Sequence, residues 1–167
     1  MLGIVMAGGK SSRFGDEKLI QDIHSRKIID ITIENISRSN VEDYLIAVSK
    51  NAPRTMNYCE KYSIIETPGK SYPEDVAYLL KLFNKPLLLL NGDSIFVNTC
   101  IINDFLSRYR GRSMTAVISD NGYKYIGLNI AVPGDERDIV VEYGQPLLAL
   151  NINTKEDWKE ALNLVGK

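Results

Sequence analysis

The stretch Leu2–Ile20, LGIVMAGGKSSRFGDEKLI, constrains this chain more than any other. Leu2, Ile4, Val5 and Met6 form a short apolar run suited to a buried strand. Ala7-Gly8-Gly9 ends it with residues that let the backbone turn tightly and approach a ligand. No side chain then separates the backbone amides from an anion. Lys10, Ser11, Ser12 and Arg13 follow, and Lys18 comes after Gly15, so cations flank a run of N–H donors. That combination suits a polyphosphate. A turn that needs glycine only for its geometry would explain Gly8 and Gly9 but leaves Arg13 and Lys18 without a reason.

Two familiar glycine motifs are excluded by spacing. A Walker A loop requires GxxxxGK followed by Ser or Thr, whereas here Gly9 and Gly15 are six apart and Asp16 stands where the lysine belongs. The dinucleotide fingerprint GxGxxG fails because Gly8 and Gly9 are adjacent. The segment instead resembles the A-G-G-x-S-x-R-[MF]-G-x-x-K signature of the MobA-like nucleotidyltransferases, which join a nucleoside monophosphate to a phosphorylated acceptor. Ala7, Gly8, Gly9, Ser11, Arg13, Phe14, Gly15 and Lys18 carry the match.

At 167 residues the chain fits one ordinary domain, taken as 1–167. Its hydrophobic content of 44% and charged content of 25% are those of a soluble globular protein. A net charge of −1 removes the long-range field of a nucleic-acid binder, so any anion site must be local. No signal peptide and no apolar run of membrane-spanning length is apparent, which leads us to expect a cytoplasmic protein with neither nucleic acid nor membrane as partner. Cys59 and Cys100, with only His24 to help, make no common zinc site and read as buried, reduced thiols. His24 reads as a surface-turn residue, and nothing in the sequence fixes an oligomeric state: the apolar residues are all accounted for by core faces.

Along the chain, a short polar excursion after Lys18 precedes a helix whose Ile29, Ile33 and Ile36 share a face. Tyr44–Val48 is an uninterrupted apolar strand, Pro53 opens a helix through Tyr58 and Tyr62, and Ser63–Glu66 forms a third strand. Ser71 and Glu74 make a capping box, so a helix starts near Ser71 with Val76, Leu79, Leu80 and Phe83 at helical spacing. Leu87–Leu90 is a strand buried on both faces that ends in Asn91-Gly92-Asp93-Ser94, and a helix follows from about Thr99. Met114–Ser119 is a further strand. From Asp120 to Leu150, turn signals separate the runs Tyr125–Val132 and Ile139–Tyr143, which read as antiparallel or irregular. A last helix begins at the capping pair Thr154 and Asp157, with Trp158, Ala161, Leu162 and Val165 inward. Strands alternating with helices predict an α/β fold, a single-domain three-layer sandwich with a mostly parallel sheet and helices on both faces. The resemblance makes this a Rossmann-like fold of the nucleotide-diphospho-sugar transferase type.

Nucleotidyl transfer asks for cations and amides to hold two anionic reactants, and for a metal to offset charge on the bridging and leaving oxygens. Asp93, just past a buried strand, is the best ligand for magnesium, which commonly takes only one or two protein carboxylates; otherwise it caps the turn before Thr99. Arg13 would clamp the β- and γ-phosphates, and Lys18 would sit nearer the α-phosphate or the acceptor. Lys10 is a phosphate ligand or a solvated loop residue. The loop Thr67–Ser71, with Gly69 and Lys70, either meets the nucleotide or is a capped turn. Gly127 marks close approach of a ligand or a bulge, and Asn153 points its amide into the cleft or serves as a cap.

Over nearly its whole length the chain resembles the archaeal GTP:adenosylcobinamide-phosphate guanylyltransferases. The match runs through Ile46–Ser49, Asn51, Pro53 and Thr55, through Thr67, Gly69, Lys70, Tyr72, Glu74 and Asp75, and through Gly127, Asn129 and Asn151–Lys155. The resemblance implies transfer of GMP from GTP to adenosylcobinamide phosphate, with Gly8, Gly9, Lys10, Arg13, Lys18, Asp93, Gly127 and Asn153 lining the GTP site. The alternatives are the same chemistry on molybdopterin or on a sugar or alcohol phosphate, and a nucleotide-binding domain without turnover. Asp93 is followed by Ser94-Ile95, where relatives acting on molybdopterin have Leu-Pro or Met-Pro, and the region Arg110–Pro133, where the acceptor is expected, is short. A guanine reader needs an acceptor for N1–H and the exocyclic amine; Glu74 and Asp75 are the candidates, unless both only favour the start of their helix.

Overall fold

The computed structural model describes residues 1–165; residues 166–167 of the expected single domain lie outside the described residues. In chain order the elements are β1 (Leu2–Met6), β2 (Asp22–Ile23), β3 (Arg26–Lys27), α1 (Ile28–Ser37), β4 (Asp43–Val48), α2 (Pro53–Cys59), β5 (Ile64–Glu66), α3 (Tyr72–Phe83), β6 (Leu87–Asn91), α4 (Thr99–Ser107), β7 (Met114–Ser119), β8 (Tyr123–Ala131), β9 (Ile139–Tyr143) and α5 (Lys155–Val165). A seven-stranded sheet runs in the order β5-β4-β1-β6-β8-β7-β9. β8 pairs antiparallel with both β6 and β7, and every other pairing in this sheet is parallel. The mostly parallel α/β architecture expected from the sequence is therefore the one observed.

Side-chain alternation explains why the central strands are apolar throughout. Val5, Ile46, Leu88 and Leu90 face the core under α1 and α4, while Ile4, Ala47, Leu87 and Leu89 face the smaller core under α3. Each of these side chains is buried, and burial of each valine, leucine or isoleucine contributes about 1.5–3 kcal/mol. The chain leaves β1 toward β4 on one side and returns through α3 to β6 on the other. A crevice opens between the C-terminal ends of β1 and β6, where open α/β sheets bind ligands.

The capping box forms as read: Ser71 Oγ accepts from Glu74 N at 3.3 Å and donates to Glu74 Oε2 at 2.8 Å. Other expectations are corrected. The helix from Pro53 ends at Cys59 and does not reach Tyr62, whose hydroxyl turns to Asp30 of α1 at 3.0 Å. β9 runs parallel to β7, so only β8 is antiparallel in the C-terminal part. The polar excursion is a hairpin, β2–β3, turned by His24 and Ser25 at positive φ. His24 is exposed, as expected, and its Nε2 lies 2.6 Å from the Leu162 carbonyl, while Trp158 Nε1 donates to Asp22 O at 3.0 Å; together they tie the hairpin to α5. Val165 is exposed and Trp158 only partly buried, so α5 presents less of its apolar stripe inward than its spacing predicts. Cys59 is buried, but Cys100, in the first turn of α4, is exposed. Nor do core faces account for every apolar residue, since Tyr123, Tyr125, Ile139, Val140 and Leu147 are exposed. Among the described residues no helix is long and apolar enough to cross a membrane.

Candidate active site

A cavity of about 410 Å³ occupies the crevice and is lined by Gly8, Gly9, Lys10, Ser11, Arg13, Lys18, Gly69, Lys70, Asp93 and Asn153, ten of the residues singled out from the sequence. Two others do not line it. Ala7 is buried at the end of the sheet, its N–H donating to Ala47 O at 2.7 Å. Gly127 lies behind the crevice, against Asn91 and Ser94. Lys10 lines the cavity but is exposed.

The first loop is built to present its cations. Ser11 adopts φ +49° and its carbonyl accepts from Phe14 N at 2.9 Å; Phe14 then buries its ring, 5% exposed, in the main core. Leu19 anchors the following turn in the same core, which sets Lys18 facing the cavity. Glu17, between them, accepts from Arg54 N at 3.0 Å and Thr55 N at 2.5 Å, so a residue of this loop satisfies the free amides that begin α2.

Asp93 reaches the cavity from the opposite wall. Gly92 N donates to Met6 O at 3.0 Å and Gly92 O accepts from Thr32 Oγ1 at 2.9 Å, which fixes the chain as it leaves β6. The helix after it is capped by Asn98, whose Oδ1 accepts from Ile101 N, so Asp93 is not the cap. Its Oδ2 lies 2.5 Å from Lys18 Nζ, with side chains 8% and 17% exposed respectively. Asn153 Oδ1 accepts from Lys18 Nζ and from Arg13 Nη2, each at 3.3 Å. Capping here belongs to the expected pair: Thr154 Oγ1 accepts from Asp157 N at 3.2 Å, and Asp157 Oδ2 accepts from Asn153 N at 2.9 Å and Thr154 N at 2.8 Å, while the Asn153 side-chain oxygen faces the cations. Burial raises the Asp157 carboxyl, but the hydrogen bonds from Asn153 and Thr154 and the charge of Lys18 outweigh it, and its pKa is lowered.

The donor set fits a lone magnesium ion. Asp93 offers one carboxylate, and Asn91 Oδ1, two residues earlier on the same wall, is buried with no hydrogen-bond partner among the described residues. No group of three or more His, Cys, Asp or Glu that could hold a metal occurs among the described residues. Asn91 escaped the sequence reading of the site because nothing in its surroundings distinguishes a strand-end amide from a turn residue. Ser49 and Asn51 were missed as well. Ser49 Oγ donates to Gly8 O at 2.6 Å and accepts from Asn51 N at 3.2 Å, and Asn51 Nδ2 donates to Gly69 O at 2.5 Å. These bonds join the glycine turn to the loop before α3.

A glycine loop with two cations, facing a strand-end carboxylate over a parallel sheet, defines a nucleotide-handling protein of the transferase kind. A sequence model of the MobA-like NTP transferase domain family matches residues 3–165, and the chain belongs to that family. It is similar to the adenosylcobinamide-phosphate guanylyltransferase of Methanocaldococcus jannaschii, at 28% identity over 100% of this chain and 98% of that protein. A protein of Aquifex aeolicus, named a probable molybdenum cofactor guanylyltransferase, is 28% identical over 95% of this chain and 88% of its own. The molybdopterin-guanine dinucleotide biosynthesis protein A of Archaeoglobus fulgidus shares the fold, with a TM-score of 0.74 at 16% identity over 99% of each chain.

Proposed function

We propose that the chain transfers GMP from GTP to adenosylcobinamide phosphate, giving adenosylcobinamide-GDP and pyrophosphate. The observation that carries this reading is the convergence of Arg13 and Lys18 on Asn153, with Lys18 also paired to Asp93, in the crevice beside the glycine turn. Similarity to the M. jannaschii guanylyltransferase over the full length of both proteins supports the choice of nucleotide and acceptor.

The amides of Gly8 to Ser11 receive the triphosphate, and Arg13 grips its outer phosphates with its planar fork. Lys18 stands nearer the α-phosphate, where the acceptor phosphate must also come, and its charge offsets the repulsion between two anions brought together. A phosphate monoester has a second pKa of roughly 6, so the acceptor is already ionised at neutral pH and no general base is required. One of its oxygens forms a bond to the α-phosphorus. The bond from the α-phosphorus to the bridging oxygen of the β-phosphate breaks, and its electron pair leaves with pyrophosphate. Asp93 would hold magnesium, with Asn91 Oδ1 at hand; when bound, that ion withdraws charge from the bridging and leaving oxygens.

The second reading keeps this chemistry and changes the acceptor to molybdopterin or a sugar or alcohol phosphate; similarity to the A. aeolicus protein favours it over more distant choices. Incubation with α-labelled GTP, magnesium and each acceptor in turn separates the two. Label in a GDP-linked cobinamide with release of pyrophosphate is the expected result. Label only on molybdopterin or a sugar phosphate would replace the acceptor, and GTP binding with no labelled product would leave a nucleotide-binding domain without turnover.

A further inference from the structure

We propose that Asp75 reads the base, its carboxylate accepting from N1–H and the exocyclic amine of guanine; this inference rests on the guanylyl reading of the site. Two neighbouring carboxylates could have done so from the sequence, and their surroundings separate them. Glu74 is exposed and occupied in the capping box with Ser71. Asp75 is 6% exposed and lines the same cavity as Gly8, Gly9, Arg13 and Lys18. Its Oδ1 accepts from Gly69 N at 2.8 Å, while its Oδ2 accepts no hydrogen bond and no cation pairs with it among the described residues.

A buried carboxylate without a cation is costly, and a neutral asparagine could hold Gly69 N equally well at a lower desolvation cost. The helix N-terminus of α3, in whose first turn Asp75 stands, offsets part of that cost, and the acceptor that Gly69 N leaves unused faces the cavity, where a ligand can take it. The hydrogen bonds from Gly8 through Ser49, Asn51 and Gly69 end on Asp75, so its position is locked to the turn that receives the phosphates. Gly69 keeps this wall close: at φ +69° a β-carbon there would stand 2.6 Å from Asn51 Nδ2 and 2.8 Å from Ser49 Oγ. Among the purines, guanine presents two adjacent donors, N1–H and the 2-amino group. Oδ2 and the second lone pair of Oδ1 match them. Adenine offers an acceptor at N1, hypoxanthine lacks the amine, and xanthine has a carbonyl in its place.

The test is the affinity of wild type and of Asp75→Asn for GTP, ITP, XTP and ATP, measured by calorimetry without any acceptor. Wild type should bind ITP at least about tenfold more weakly than GTP, the value of one charge-assisted hydrogen bond. In Asp75→Asn the carbonyl oxygen keeps Gly69 N and N1–H while the new NH₂ opposes the guanine amine and suits the xanthine carbonyl. GTP should weaken by about tenfold or more, and the order of GTP and XTP should reverse. An Asn variant with an unchanged melting temperature and the wild-type order of nucleotides would overturn the proposal. If that variant does not fold, Asp75→Glu decides: a GTP to ITP ratio falling toward one supports the proposal, and an unchanged ratio overturns it. A wild type that prefers GTP yet labels no acceptor would remove the transfer reading and leave this one standing, whereas one that binds ATP as tightly as GTP would remove this one.

Discussion

Replacing Gly127 by alanine distinguishes a glycine that supports the site from one that touches the nucleotide. Gly127 lies in β8 at φ +76°, a conformation that costs an L-residue roughly 1–2 kcal/mol. A β-carbon there would come 2.3 Å from Ser94 Oγ and 2.9 Å from both Cβ and Nδ2 of Asn91, well inside contact distance. Ser94 cannot move aside freely, because its hydroxyl lies 3.0 Å from the Ile126 carbonyl and 3.2 Å from Asn151 Oδ1, and its one proton serves both. Overpacking of this kind costs about 1–3 kcal/mol, so the whole substitution should destabilise by about 2–5 kcal/mol. With a urea m-value of about 2 kcal/mol/M, the unfolding midpoint should fall by roughly 1–2.5 M. Equilibrium unfolding followed by circular dichroism measures it, and the same change in a Ser94→Ala background should recover about 1 kcal/mol or more by removing the shortest contact. Asp93 sits between Asn91 and Ser94, so turnover should fall further than GTP affinity. A loss below about 1 kcal/mol accompanied by weakened GTP binding would refute the reasoning and make Gly127 a nucleotide contact.

The opposite outcome is expected at Gly9, where a β-carbon meets nothing within 4 Å: Gly9→Ala should leave the urea midpoint unchanged while weakening GTP by about tenfold or more, measured by calorimetry. Titration of native protein with a thiol reagent should modify exposed Cys100 rapidly and Cys59 only after denaturation, since burial pushes the Cys59 thiol up to about 11. Asp157 gives a pH signature. A carboxyl depressed on folding stabilises the native state above its unfolded value, and that contribution is lost as pH falls through the lower folded value. Melting temperatures recorded from about pH 5 down to pH 2 should fall more steeply for wild type than for Asp157→Asn, and equal slopes would exclude Asp157 as a contributor.

The parts of the fold legible in the sequence are those whose cause is local. Leu87–Leu90 reads as a doubly buried strand because both of its faces are apolar, and Ser71 with Glu74 announces a helix start because the cap lies within one turn. Partner choice has no such local mark. Nothing within Ile139–Tyr143 states that it will lie parallel to β7, since that depends on β8 having already taken the other edge. The β2–β3 turn was hidden because His24 and Ser25 adopt positive φ without the Asn-Gly pair that signals such a turn. α2 stops at Cys59, and Tyr62 beyond it makes a tertiary contact with Asp30 that is invisible from the Pro53 side. In the crevice, charged residues of the first loop and of the β6 end stood out by type and position. Asn91, Ser49 and Asn51 did not, because small polar residues near strand ends occur for many reasons and only the fold shows what they hold.

The pair Lys18–Asp93 argues for function through what it fails to do for stability. Both ions give up most of their water, at 17% and 8% exposure, and replacing such a buried pair by apolar residues is often neutral or stabilising by about 1–4 kcal/mol. The fold has no need of the charges, although it cannot lose one alone: Lys18→Met leaves the Asp93 carboxylate buried and unpaired, at a cost of up to about 3–5 kcal/mol. The double substitution Lys18→Met/Asp93→Leu should therefore melt near wild type while abolishing transfer from GTP. A double variant destabilised as much as either single change would instead mark the pair as a structural element. It would remove the main reason for giving Asp93 the metal and Lys18 the phosphates.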